Sequence, residues 1–113
     1  MEALLVPVRD AMHAIPLAAV RAALPLGPVS PLPGSPPAVL GAINVHGDVV
    51  VLLDTALLLG DAPLENVTHA AVATGRHGTA ALAATAQPVT SVVERPLLLA
   101  VDDLLDPARV ASS

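Results

Sequence analysis

The sequence contains no Phe, Tyr or Trp, no Cys and no Lys. Without aromatic rings there are no stacking platforms for bases or sugars, and the core must be filled by Leu, Val, Ile, Ala and two Met residues. Without cysteine there can be no disulfide, thiolate metal site or cysteine nucleophile, which fits a reducing compartment, so a cytoplasmic location is expected. The lack of lysine leaves five arginines against ten acids and a net charge of −5. That balance opposes the phosphate neutralisation on which nucleic-acid binding depends. Long apolar runs are missing too. The densest, Val49 to Leu59, contains Asp54 and is far short of the ~20 residues that span a bilayer, so no membrane insertion is expected. The start, Met1-Glu2-Ala3, lacks the basic flank of a signal peptide and soon meets Pro7, Arg9 and Asp10.

The chain does have apolar mass: 54% of its 113 residues are hydrophobic and only 13% charged, so it should fold, as a single domain over residues 1–113. Leu4 to Val8 and Met12 to Ile15 flank Arg9-Asp10-Ala11 and predict a hairpin. Leu17 to Leu26 fits either a short helix or a turn leading into a strand. From Pro25 to Pro37 six prolines and two glycines exclude a helix or central strand and predict an extended surface crossing. Val39 to Val45 and Val49 to Leu53 flank His46-Gly47-Asp48, a second hairpin. Asp54 then sits where an N-cap is expected before Ala56 to Leu59, with Gly60 ending the turn.

The second half, 61–113, shows a third hairpin, His69 to Thr74 and Thr79 to Ala84 around Gly75-Arg76-His77-Gly78, although the Ala-rich second arm has weak strand propensity. Val89 to Val93 and Leu97 to Leu99 are further apolar runs. Val51 to Leu59 and Leu97 to Leu105 align without gaps at four leucine pairs, a weak internal repeat. Asp102, Asp103 and Asp106 are expected to form a solvated helix start.

Ile15-Pro16-Leu17, Val20, Pro31-Leu32-Pro33-Gly34, Gly41-Ala42-Ile43-Asn44-Val45-His46-Gly47, Val49 to Asp54 and Leu59-Gly60 follow one another in an order that resembles the CheW-like adaptor domain of bacterial chemotaxis. The resemblance implies an all-β fold with short helices, a pair of small SH3-like β-barrels divided here as 1–60 and 61–113. It also implies a non-enzymatic adaptor that couples chemoreceptors to the regulatory domain of a histidine kinase, with no cofactor. Carried over onto this sequence, its partner-binding residues are Val20, Ala22, Asn44, Val45, His46 and Gly47. The chain departs from the family pattern in having His46 where Arg is usual and Ala22 where Glu is common. It also has only Glu94-Arg95-Pro96 between Val93 and Leu97, where a further strand pair is normal. An incomplete second barrel would leave open edges, so a homodimer through Val89, Val92, Leu97, Leu98 and Leu99 is expected.

Other chemistry finds less support. Leu52-Leu53-Asp54-Thr55-Ala56 is similar to the Asp-Thr-Gly of retroviral-type aspartic proteases, which dimerise to pair two carboxylates; Ala56 replaces the glycine. His13, His46, His69 and His77 lack the paired spacing of a metal site. Ser30, Ser35 and Ser91 have no nucleophile-elbow context, and Gly75 to Gly78 reads as a turn rather than a phosphate loop.

Overall fold

The computed structural model describes residues 1–113. Eight strands, β1 Glu2–Val8, β2 Ala11–Pro16, β3 Val20–Pro25, β4 Val39–Val45, β5 Asp48–Leu53, β6 His69–Gly75, β7 Gly78–Ala84 and β8 Val89–Val92, are joined by three short helices. These are α1 Thr55–Leu58, α2 Val101–Leu104 and α3 Pro107–Ser112. The strands form a five-stranded sheet in the order β3-β6-β7-β5-β4 and a three-stranded sheet in the order β2-β1-β8. The all-β expectation holds, but as two open sheets rather than two closed barrels: no ladder joins β3 to β4. Each sheet also draws strands from both sides of residue 60, and one apolar cluster runs from Leu4 and Ile15 through Leu52 and Leu82 to Leu104.

The three expected hairpins are all present. Leu17–Ala19 is a single 3-10 turn that feeds β3, so the turn-then-strand alternative is the one realised. The Ala-rich arm is β7, paired antiparallel with β6 and parallel with β5. Ala80, Ala81, Ala83 and Ala84 are buried, as are Ala70, Ala71 and Ala73 on β6. In a core without aromatic rings, small side chains on the central strands let the flanking Leu and Val layers close together, and burial on both faces overrides weak propensity.

The repeat corresponds to real local structure. Asp54 and Ala100, which it aligns, are both extended residues preceding a one-turn helix, and Leu58 and Leu104 are both buried. Asp102, expected to be solvated, instead accepts a hydrogen bond from the Arg76 main-chain N–H at 2.8 Å, tying α2 to the β6–β7 turn. Asp106 does cap α3, accepting from the Ala108 N–H.

The proline-rich crossing is anchored midway. Ser30 and Ala42 exchange main-chain hydrogen bonds of 2.9 and 2.8 Å, a bridge laid against the outer edge of β4 where its register with β5 shifts between Val39 and Gly41. Gly41, the first glycine of the motif, has φ 152°, and a Cβ there would lie 2.5 Å from Ser30 O and 2.6 Å from Val29 Cγ1. Backbone cannot yield as a side-chain tip can. Gly41→Ala should therefore cost about 2 kcal/mol or more in urea unfolding, since strain and displaced packing act together. Gly27→Ala, with open space around it, should be neutral or slightly stabilising.

Candidate functional site

Four of the six residues expected to bind a partner lie on β4 and its turn, the other two, Val20 and Ala22, on β3, and the geometry of the turn follows from a few local bonds. Val45 pairs with Asp48, so His46 and Gly47 are the two central residues of the tightest hairpin connection. Their φ values are 51° and 92°, the doubly positive pattern of the turn whose twist matches the flanking strands. Asn44 Oδ1 accepts a hydrogen bond from the Gly47 N–H at 3.0 Å. Asn44 and Gly47 thus build the turn and His46 stands exposed at its tip. Val45 is buried.

The five-stranded sheet curls enough to bring this turn to face β3. Ala22, Val45 and His46 line one cleft of about 280 Å³ together with Arg21, Asp48, Val50, Val72, Thr74 and Thr79. Val45, Val50 and Val72 are buried and give the cleft an apolar floor, while Arg21, His46, Asp48 and Thr79 are exposed around it. Val20 is half-buried, paired with Ala73, and does not line the cleft. Asn44 and Gly47 support it from behind the turn.

Arg21 is the residue that sequence reasoning passed over. Its Nε donates to Thr74 Oγ1 at 3.2 Å, and Thr74 Oγ1 lies 2.6 Å from Thr79 Oγ1. A hydroxyl relay across β6 and β7 therefore holds the guanidinium over the cleft. The only signal in the sequence was a lone charge within Leu17 to Leu26. The cleft is smaller than most small-molecule sites, and its charged side chains sit on the rim.

The residues expected to mediate self-association are not contiguous. Val89 and Val92 are exposed on β8, at one edge of the three-stranded sheet. Leu98 bridges Ala14 on β2, and the Leu99 N–H donates to Ala14 O at 2.8 Å, so both half-buried leucines cover the opposite edge. Leu97, at 66% exposure, ends the 3-10 turn Arg95–Leu97 between them.

The protease alternative is overturned by the environment of Asp54. Its side chain is completely buried; Oδ1 accepts from the Leu57 N–H at 3.1 Å and Oδ2 from the Leu64 N–H at 2.9 Å. Two such carboxyl groups cannot meet across a two-fold axis without unfolding their own loops. The four histidines lie apart, on β2, the β4–β5 turn, β6 and the β6–β7 turn. His69 Nδ1 is within 2.8 Å of Thr68 Oγ1. The largest hollow, about 800 Å³ between the β1–β2 turn and residues 62–66, has its cation committed: Arg9 Nη2 donates to the Ala62 and Pro63 carbonyls.

A model of the CheW-like domain matches residues 2–111 of the chain. The fold is similar to that of the scaffolding protein TtCheW from Thermoanaerobacter tengcongensis, with a TM-score of 0.67 at 13% identity, over 78% of this chain and 63% of that one. The chain thus spans less than two thirds of that protein's length. No curated protein sequence matches it.

Asp54→Asn should destabilise without any catalytic consequence, because one of two acceptors is replaced by a donor facing an N–H. A loss of about 1–3 kcal/mol in chemical denaturation is expected. Pepstatin-sensitive peptide cleavage that vanished in this variant would contradict the assignment.

Proposed function

The chain belongs to the CheW-like domain family, and on that premise we propose that it is a non-enzymatic cytoplasmic adaptor coupling chemoreceptors to a histidine kinase regulatory domain. The observation that carries this reading is the cleft between β3 and the β4–β5 turn. Residues 22 and 46, the two motif positions where the chain carries a different side chain from the one usual in the family, both line it. Departures at two positions so far apart in sequence fall on one surface, which is what a retuned contact would look like.

The retuning has a direct physical form. The family's acid and arginine are replaced by Ala22 and His46, so neither leaves a desolvated charge without its partner. Arg21, one residue from Ala22, supplies a fixed cation at the rim instead. The apolar floor of Val45, Val50 and Val72 suits one aliphatic side chain of a partner, and Arg21 with His46 suits an acid beside it. No helix is long and apolar enough to cross a membrane.

Arg21 and His46 are exposed, so replacing either with Ala should leave stability within about 0.5 kcal/mol of the parent. If the cleft is the contact, Arg21→Ala and His46→Ala should each weaken binding to the purified kinase regulatory domain or receptor tip by about tenfold in titration calorimetry. Unchanged affinity in both variants, with the parent binding, would move the contact elsewhere. Absence of binding by the parent to either partner would end the adaptor reading.

A further inference from the structure

The four sheet edges are not equally protected. The outer edge of β2 is taken by Leu98 and Leu99, and that of β4 carries the Ser30 bridge. On β3 a charged residue, Arg21, a register shift between Val20 and Ala22 and the closing Pro25 are the devices by which edges resist strand addition. β8 has none of these. Val89-Thr90-Ser91-Val92 is uncharged and regular, and all four residues are exposed, Val89 at 47% and Val92 at 75%.

Its pairing with β1 fixes the direction of its free backbone groups. Met1 and Val93 exchange both main-chain hydrogen bonds, at 2.8 and 2.9 Å, so they form a hydrogen-bonded pair in the antiparallel ladder. Such pairs alternate along Glu2↔Val92, Ala3↔Ser91, Leu4↔Thr90 and Leu5↔Val89. Val89 and Ser91 therefore turn their N–H and C=O toward β1, whereas Thr90 and Val92 turn theirs outward. The same alternation on the far side of β1 points Ala14 away from it, and Ala14 O is indeed the acceptor for Leu99.

We propose that β8 pairs antiparallel with β8 of a second copy of this chain, about a two-fold axis at Ser91. The result is a continuous sheet β2-β1-β8 followed by its symmetry mate. In this register Thr90 of one copy opposes Val92 of the other, and each such pair exchanges N–H···O=C bonds in both directions. Every outward-facing group of the strand is then satisfied. A slip of one residue sets outward groups against inward ones and forms none of these bonds. A slip of two brings in either Pro88, which has no N–H, or Glu94, whose carbonyl already accepts from the Leu97 N–H at 3.0 Å. Side chains agree with the register: Ser91 is small where the two strands approach most closely, and Thr90 with Val92 is a β-branched cross-strand pair. The pairing is independent of the adaptor reading, because the cleft lies on the other sheet.

Because the chain has no cysteine, single cysteines report the register. Ser91→Cys places two thiols across a non-hydrogen-bonded pair with Cα atoms about 4.5 Å apart, inside disulfide range. The two copies of Thr90→Cys would sit about 8 Å apart, outside that range. Under mild oxidation Ser91→Cys should form a covalent dimer at least about tenfold faster than Thr90→Cys. Thr90→Pro removes an outward N–H that makes no bond within the chain, so it should keep the circular dichroism and melting temperature of the parent while abolishing dimerisation in analytical ultracentrifugation. The cysteine pair decides the register whether or not the proline variant folds. A parent protein that stays monomeric from micromolar to millimolar concentration, or equal cross-linking at positions 90 and 91, would overturn the proposal.

Discussion

The Asp54-Thr55 junction holds the rest of the molecule in place. Both side chains are buried, and both are satisfied by main-chain groups, those of Asp54 from the helix and loop that follow it and that of Thr55 from a distant strand. The Asp54 carboxyl caps α1 through Leu57 and fixes the following loop through Leu64. The Asp54 N–H donates to Ala38 O at 2.7 Å, fastening the end of the proline-rich crossing. Thr55 Oγ1 donates to Ala83 O at 2.7 Å, joining the junction to central strand β7. A buried polar group without partners would cost several kcal/mol, and every buried side-chain nitrogen and oxygen here has one. The same bonds commit Asp54 wholly to structure, which is why an Asp-Thr following an apolar run carries no hydrolytic chemistry in this fold.

From that junction the geometry of the cleft follows. With Ala38 and Asp54 tied together, β4 and β5 leave the junction as a fixed hairpin whose far end is the His46-Gly47 turn. The crossing from β3 must travel around the sheet to reach β4, and its prolines keep it extended while Ser30 pins it to Ala42. Gly41 supplies the space for that contact. The turn consequently ends opposite β3, with three buried valines between them. Asn44 and Gly47 close the turn through their own hydrogen bond, and His46 stands exposed at its tip.

Much of this could be read from the residues alone. Proline and glycine mark the turns and the crossing because they restrict or free φ whatever surrounds them, so three hairpins, the N-cap at Asp54 and the short helix after it were legible. Elements governed by neighbours were not. β7 is rich in alanine and looks like a poor strand in isolation, yet it is central because strands pair on both its edges and its faces are buried. Leu98 and Leu99 look like part of the same apolar surface as Val89 and Val92, but the chain crosses the sheet between them and seals the other edge. Asp102 looks solvated until the β6–β7 turn offers it an N–H.

The chemical repertoire is set by residue identity: no aromatic stacking, no thiols, an aliphatic core, a net acidic charge and the ordered motif of the CheW-like family. These depend on which side chains exist and on local φ preferences, and both are properties of the chain before it folds. Folding adds that the sheets take strands from both halves, that Arg21 joins residues 22 and 46 at one cleft, and that β8 keeps an unprotected edge. Those outcomes rest on hydrogen-bond pairing and sheet curvature between segments far apart in sequence. A period-two pattern says which face of a strand is buried, but it does not say which strand will lie beside it.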